Sequence, residues 1–100
     1  MDAKETIIQE QKERKEEVKT RIEICMRLIM NSNDRESLKS NYDKLHWYLK
    51  GLFDAGFIDG KTFQNNIQVA RDLRRDTLNR IKIQDEIQNE IDNIFKIIFG

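Results

Sequence analysis

No proline occurs anywhere in this 100-residue chain, and its first fifty residues contain no glycine either, the first being Gly51. These are the residues that most readily break a helix, proline by removing an amide donor and glycine through its backbone entropy. A stretch lacking both favours long helices, whose ends must be set by polar caps instead. Asn31, Ser32, Asn33 and Asp34 form one such cluster, with side chains that compete locally for backbone hydrogen bonds. A second break falls between Ala55 and Gly60, where Gly56 can take the left-handed conformation that ends a helix and Asp59 can cap the next start. The chain is therefore expected to be all-α, with three helices over about 3–30, 34–54 and 60–98 and an antiparallel helical hairpin at its centre.

The apolar spacing supports this division. Val18, Ile22, Cys25 and Ile29 follow a four, three, four pattern along one stripe of the first helix. Ile24, Met26, Leu28 and Met30 broaden it, which predicts burial on two sides. The preceding half has no apolar residue between Ile8 and Val18, so residues 1–17 read as a charged, exposed helical arm. Glu10 with Arg14, Glu17 with Arg21 and Glu23 with Arg27 have the acid-first spacing of four that suits helical ion pairs. The second helix carries Leu38, Tyr42, Leu45, Leu49 and Leu52 on its stripe, with Trp47 opposite, beside Lys44, Gly51 and Asp54. The third has Phe63, Ile67, Ala70, Leu73, Leu78 and Ile81, then Ile87, Ile91, Ile94 and Ile98. Breaks in it are expected, if anywhere, at Arg75 to Thr77 or Gln84 to Asp85.

A length mismatch follows. At about 1.5 Å per residue the second helix spans roughly 30 Å and an unbroken third helix nearly twice that. Pairing from Phe63 onward exhausts the second helix near residue 80 and leaves Ile81, Ile83, Ile87, Ile91, Ile94, Phe95, Ile97, Ile98 and Phe99 overhanging. Each such side chain left in water forgoes about 1.5–3 kcal/mol of burial. Either the third helix breaks and folds back on the first, or another chain covers it, and the spacing of Ile87, Ile91, Ile94 and Ile98 suits a helix-to-helix contact. A homo-oligomer, with a dimer favoured, or a protein partner is the expectation, with Ile83, Ile87, Ile91, Ile94, Phe95, Ile98 and Trp47 as interface residues. Trp47 is either an anchor for a partner or simply covered by the first helix.

Composition bounds the function. A chain this short forms a single domain over 1–100, and 38% hydrophobic residues are enough for a core. Eighteen basic residues balance eighteen acidic ones, which removes the charge argument for a general nucleic-acid or membrane-surface binder. Apolar runs are too short for a membrane span or a signal peptide, so a cytoplasmic location is expected. The balance conceals a local excess of four positive charges: residues 61–82 hold Lys61, Arg71, Arg74, Arg75, Arg80 and Lys82 against Asp72 and Asp76. Arg71, Arg74, Arg75 and Arg80 are accordingly the candidate phosphate contacts of an alternative reading, a nucleic-acid-binding regulator. The competing reading of that segment is a solvated face neutralised by its own aspartates.

Catalytic and metal chemistry find little material. His46 is the one histidine, three residues after Asp43, and no second Glu-x-x-His helix completes a site. It reads as a half-buried, hydrogen-bonded residue near the tyrosines. Cys25, the one cysteine, falls on an apolar stripe and reads as a small core residue. Asp54, Gly56, Asp59 and Gly60 miss calcium-loop spacing, since Ala55 stands where the first ligand belongs. No cofactor, metal or catalytic residue is assigned.

Leu49, Leu52, Gly56, Ile58 and Phe63 present leucines three apart, a helix-ending glycine, an isoleucine in the turn and an aromatic opening the next helix. Over 45–70 this resembles the short helical hairpin called the SHOCT (short C-terminal) domain, which implies a hairpin associated with oligomerisation or protein contacts. Here the hairpin is internal, and Lys61 and Thr62 replace the acidic residues usual before the phenylalanine. A helix-turn-helix reading of the same segment meets bulky Leu52 where a small residue is expected, and Phe57 and Ile58 read instead as a plug closing the hairpin. The functional expectation is a non-catalytic protein-interaction module that binds and modulates a larger protein as an adaptor or inhibitor. Abundant isoleucine, lysine and asparagine associate it with a bacterial or phage genome.

Overall fold

The computed structural model describes residues 2–100. Three helices make up the fold: α1 over Ala3–Met30, α2 over Arg35–Asp54 and α3 over Gly60–Phe99. Each begins on an aspartate whose carboxylate accepts a hydrogen bond from the backbone amide three residues on, at 2.7 Å or 2.8 Å. The pairs are Asp2 with Glu5, Asp34 with Ser37, and Asp59 with Thr62. Gly56 has φ of 74° and closes α2, as its position in the sequence predicts; any side chain there would be held in the left-handed region.

The turn between α1 and α2 works without glycine because side chains take over its hydrogen bonding. Ser32 Oγ donates to the Leu28 carbonyl at 2.8 Å, and Asn41 Nδ2 donates to that carbonyl and to Ser32 Oγ. From fifty residues away, Arg80 donates to the Met30 carbonyl at 3.0 Å and to the Ser32 carbonyl. The last carbonyls of α1 are thereby satisfied, and a positive charge sits at the negative end of its dipole.

α2 and α3 run antiparallel. Phe53 stacks on Phe63 at 5.1 Å beside the turn, and Arg35 meets Asp85 at 3.1 Å at the far end. α1 runs parallel to α3: its residues Ile22 and Met26 line a cleft with Ile58 and Thr62, while its C-terminus reaches Arg80. Between them lies a small core of Ile29, Leu38, Tyr42, Leu45, Leu49, Ile67, Ala70 and Ile81, with Ile22, Cys25, Met26, Ile58, Phe63, Leu73 and Leu78 packed around it. Two arms leave this core at opposite ends, residues 3–17 of α1 and 82–99 of α3, and the molecule measures 77 × 26 × 15 Å.

α3 is continuous through Arg75–Thr77 and Gln84–Asp85, in keeping with the single helix expected over 60–98, and the fold-back alternative does not occur. Several other expectations need correcting. Ile81 does not overhang; at 2% exposure it is the last core residue of α3. α1 is covered on one side only, leaving Ile24, Leu28 and Met30 exposed, because α2 and α3 share the face bearing Ile22, Cys25, Met26 and Ile29. Glu10–Arg14, Glu17–Arg21 and Glu23–Arg27 are not among the ion pairs of the described residues. The helical pairs that form at spacing four, Lys39–Asp43 and Lys50–Asp54, are base-first and lie on α2. The hairpin is closed by the Phe53–Phe63 stack and half-buried Ile58, while Phe57, partly exposed, lines the cleft between α1 and the turn.

The caps carry a pH dependence. Hydrogen bonds from the Ser37 amide to Asp34 and from the Thr62 amide to Asp59 hold both carboxyls below the usual aspartate range. A carboxyl with a depressed folded-state pKa contributes stability that is complete above its unfolded value and is lost as pH falls through the folded one. Thermal melts of the wild type should therefore hold steady from neutral pH down to the ordinary aspartate range and decline below it. Asp34→Asn and Asp59→Asn should each flatten that acid limb, and acid limbs identical to wild type would refute the assignment.

Candidate interaction surface

The C-terminal half of α3 emerges from the core because α2 and α1 both end. α2 begins at Arg35, level with Asp85, and α1 stops at Met30, level with Arg80. Helical periodicity continues without them. Ile83, Ile87, Ile91, Ile94, Phe95, Ile97, Ile98 and Phe99 are all exposed, Ile97 at 85%. Phe95 and Phe99, one turn apart, stack at 5.5 Å. The polar residues of the same arm are mostly acidic, with Asp85, Glu86, Glu90 and Asp92 against Lys96. Of the α3 side chains that the spacing leaves overhanging, all but Ile81 therefore lie in solvent on this arm.

Trp47 is separate from that arm. It projects from the outer face of α2 with 68% of its surface exposed, beside a shallow hollow lined by Glu36, Lys39, Ser40, Asp43 and Lys44. Gly51, one turn on, leaves open space beside its backbone. Of the two alternatives for Trp47, coverage by α1 does not occur. His46 meets its ring edge-on at 5.4 Å and stacks on Tyr42 at 6.2 Å. His46 is half-buried as expected, but its contacts are aromatic, with no hydrogen bond to its ring among the described residues. Asp43 is engaged by Lys39 Nζ at 3.3 Å. No group of three His, Cys, Asp or Glu placed to share an ion lies among the described residues.

The arginines of the basic segment are largely committed within the fold. Arg74 lies over the Tyr42 ring at 4.2 Å, a cation–π contact across the α2–α3 seam. Arg75 is paired with Asp72 and Asp76 at 3.4 Å each, and Arg80 holds the α1 terminus. Arg71 and Arg74 are both exposed without an ion pair among the described residues, and of the two only Arg71 also lacks a cation–π contact. Sequence reasoning missed Ser32, Asn41 and Arg80 as a structural network. An arginine two helices away carries no local sign that it will meet a helix terminus.

No described helix is long and apolar enough to cross a membrane. Comparison of the chain with models of protein families, with curated proteins and with solved structures finds no match.

Proposed function

We propose that this chain is a non-catalytic protein-interaction module whose working surface is the apolar stripe on the C-terminal half of α3. The observation that supports this is the exposure of eight large apolar side chains on a helix that outruns its own core. A helix of that kind loses about 1.5–3 kcal/mol of burial per side chain in water, and contiguous apolar surface of this extent is characteristic of a binding site. Ile87, Ile91, Ile94 and Ile98 form the centre of the stripe, with Ile83 and Phe95 flanking it. Trp47, on a different face, offers a second anchor for a larger partner. The role is that of a small adaptor or inhibitor, which acts by occupying a surface of another protein.

Apolar recognition makes a distinctive prediction. Capture of a partner from the native host should persist at high salt and be lost on Ile91→Asp, whereas charge reversal at Arg71 should leave it unchanged. Binding that weakens steeply with salt and survives Ile91→Asp would replace this reading with phosphate recognition.

A further inference from the structure

We infer that the α3 arm pairs with the α3 arm of a second copy in antiparallel orientation, each partner's arm lying end to end with α1 of the other. This inference rests on the reading of the arm as a protein-binding surface and names its occupant.

The argument begins with the seam of α3 that α1 uses. A cleft beside the end of α1 is walled by Met30, Leu73, Asp76, Thr77 and Arg80. Leu73 and Arg80 are followed at intervals of seven by Ile87 and Ile94, and Thr77 is followed likewise by Gln84, Ile91 and Ile98. The apolar stripe of the arm is thus the continuation of the α1-facing seam. On a straight helix a seven-residue repeat drifts by about 20° each time, which a shallow left-handed crossing absorbs. The seam is polar at Thr77, which is buried, and at Arg80 and Gln84, around the point where α1 stops and Arg80 takes the Met30 carbonyl. α3 therefore presents one track with room for two helices in succession, and α1 fills only the first half.

The chain itself supplies a matching second helix. The α1 arm of another copy does not suit, having no apolar residue between Ile8 and Val18. A second α3 arm presents the same stripe, as a two-fold interface requires. Ile87, Ile91, Ile94, Phe95 and Ile98, at on the order of 100 Å² each, give about 500 Å² per partner and so about 1,000 Å² in total, the size at which a specific interface begins.

Sterics select the orientation. In a parallel pair, the α3 core segment of the partner would run back along the seam into the volume α1 occupies, since a helix with its side chains is about 10 Å across. An antiparallel arm instead enters from the free end. The closest heptad register that clears α1 sets Ile87 level with Ile98 of the partner subunit and Ile91 level with Ile94 of the partner subunit. One heptad deeper would carry Phe99 of the partner subunit to the level of Asn79, against the last turn of α1.

Light scattering on the full chain should give twice the 12.0 kDa monomer mass at high concentration. Ile91→Asp should restore the monomer, while Asn89→Asp, on the opposite side of the helix, should leave the dimer intact. Circular dichroism of both variants controls for folding. Orientation is read by cross-linking in a Cys25→Ser background. Ile87→Cys mixed with Ile98→Cys should form a mixed disulfide, and each alone should not, because identical positions then stand roughly 16 Å apart along the axis. Self-cross-linking of Ile98→Cys alone would overturn the antiparallel arrangement. A monomer at every concentration would overturn self-pairing; if Ile91→Asp still abolished salt-resistant capture, the arm would remain a binding surface for a different protein. Failure of the broader reading is distinct, since Ile91→Asp would then alter neither the oligomeric state nor capture.

Discussion

Leu45→Ala lowers the folding stability of this protein by about 2–5 kcal/mol, measured by urea or thermal denaturation. Leu45 is fully buried at the centre of the three helices, along with Leu49 and Ile29. Truncating it removes the transfer free energy of the lost carbons and leaves a cavity that rigid neighbours fill only in part. The effect is large relative to the whole because the core contains only eight buried apolar residues among those described. A chain of this length has roughly 5–15 kcal/mol of total stability, so the substitution consumes a substantial part of it. Trp47→Ala provides the contrast. Trp47 is larger than Leu45 but 68% exposed, and its loss should stay within about 0.5 kcal/mol. Comparable losses for the two variants would mean that α1 or a partner covers Trp47 in solution.

Arg80→Ala should cost about 1.5–3 kcal/mol, the usual range for removing a charged donor from hydrogen bonds in a partly buried site. The guanidinium donates to the Met30 and Ser32 carbonyls, so its loss leaves the end of α1 without that donor. Arg80→Lys should recover only part of the loss, since an ammonium group cannot reproduce the planar fork that reaches two carbonyls. Arg71→Ala, at an exposed site on the same helix, should change stability by less than about 0.5 kcal/mol. Equal effects at the two positions would show that Arg80 does not hold the α1 terminus. A stability loss confined to Arg80 would separate its structural role from the charge that the basic segment shares.

The helix ends were legible in sequence because their causes are local. Asp34 and Asp59 reach only three residues along the chain, and Gly56 needs only its own backbone freedom. The overhang of α3 was legible too, since it follows from comparing helix lengths once those ends are known. Four-and-three spacing likewise identified Leu38, Tyr42, Leu45, Leu49 and Ile67 as core. What failed was the assignment of sides. Ile24 and Leu28 have the apolar character of core residues, yet α1 meets only two neighbours on one side, which leaves them in solvent. Ile81 and Ile83 are the same residue type two positions apart, and only the first is inside.

The sequence by itself determined that this protein is three helices, where they start and stop, and that the last outruns the others. Those are consequences of interactions within a turn or two of helix. Only the tertiary structure decided that Ile81 is covered while Ile83 is not, that Arg80 belongs to the end of α1 and that Trp47 is left uncovered. Each depends on which helix lies alongside at a given level, a relation between residues some fifty positions apart that no local pattern encodes.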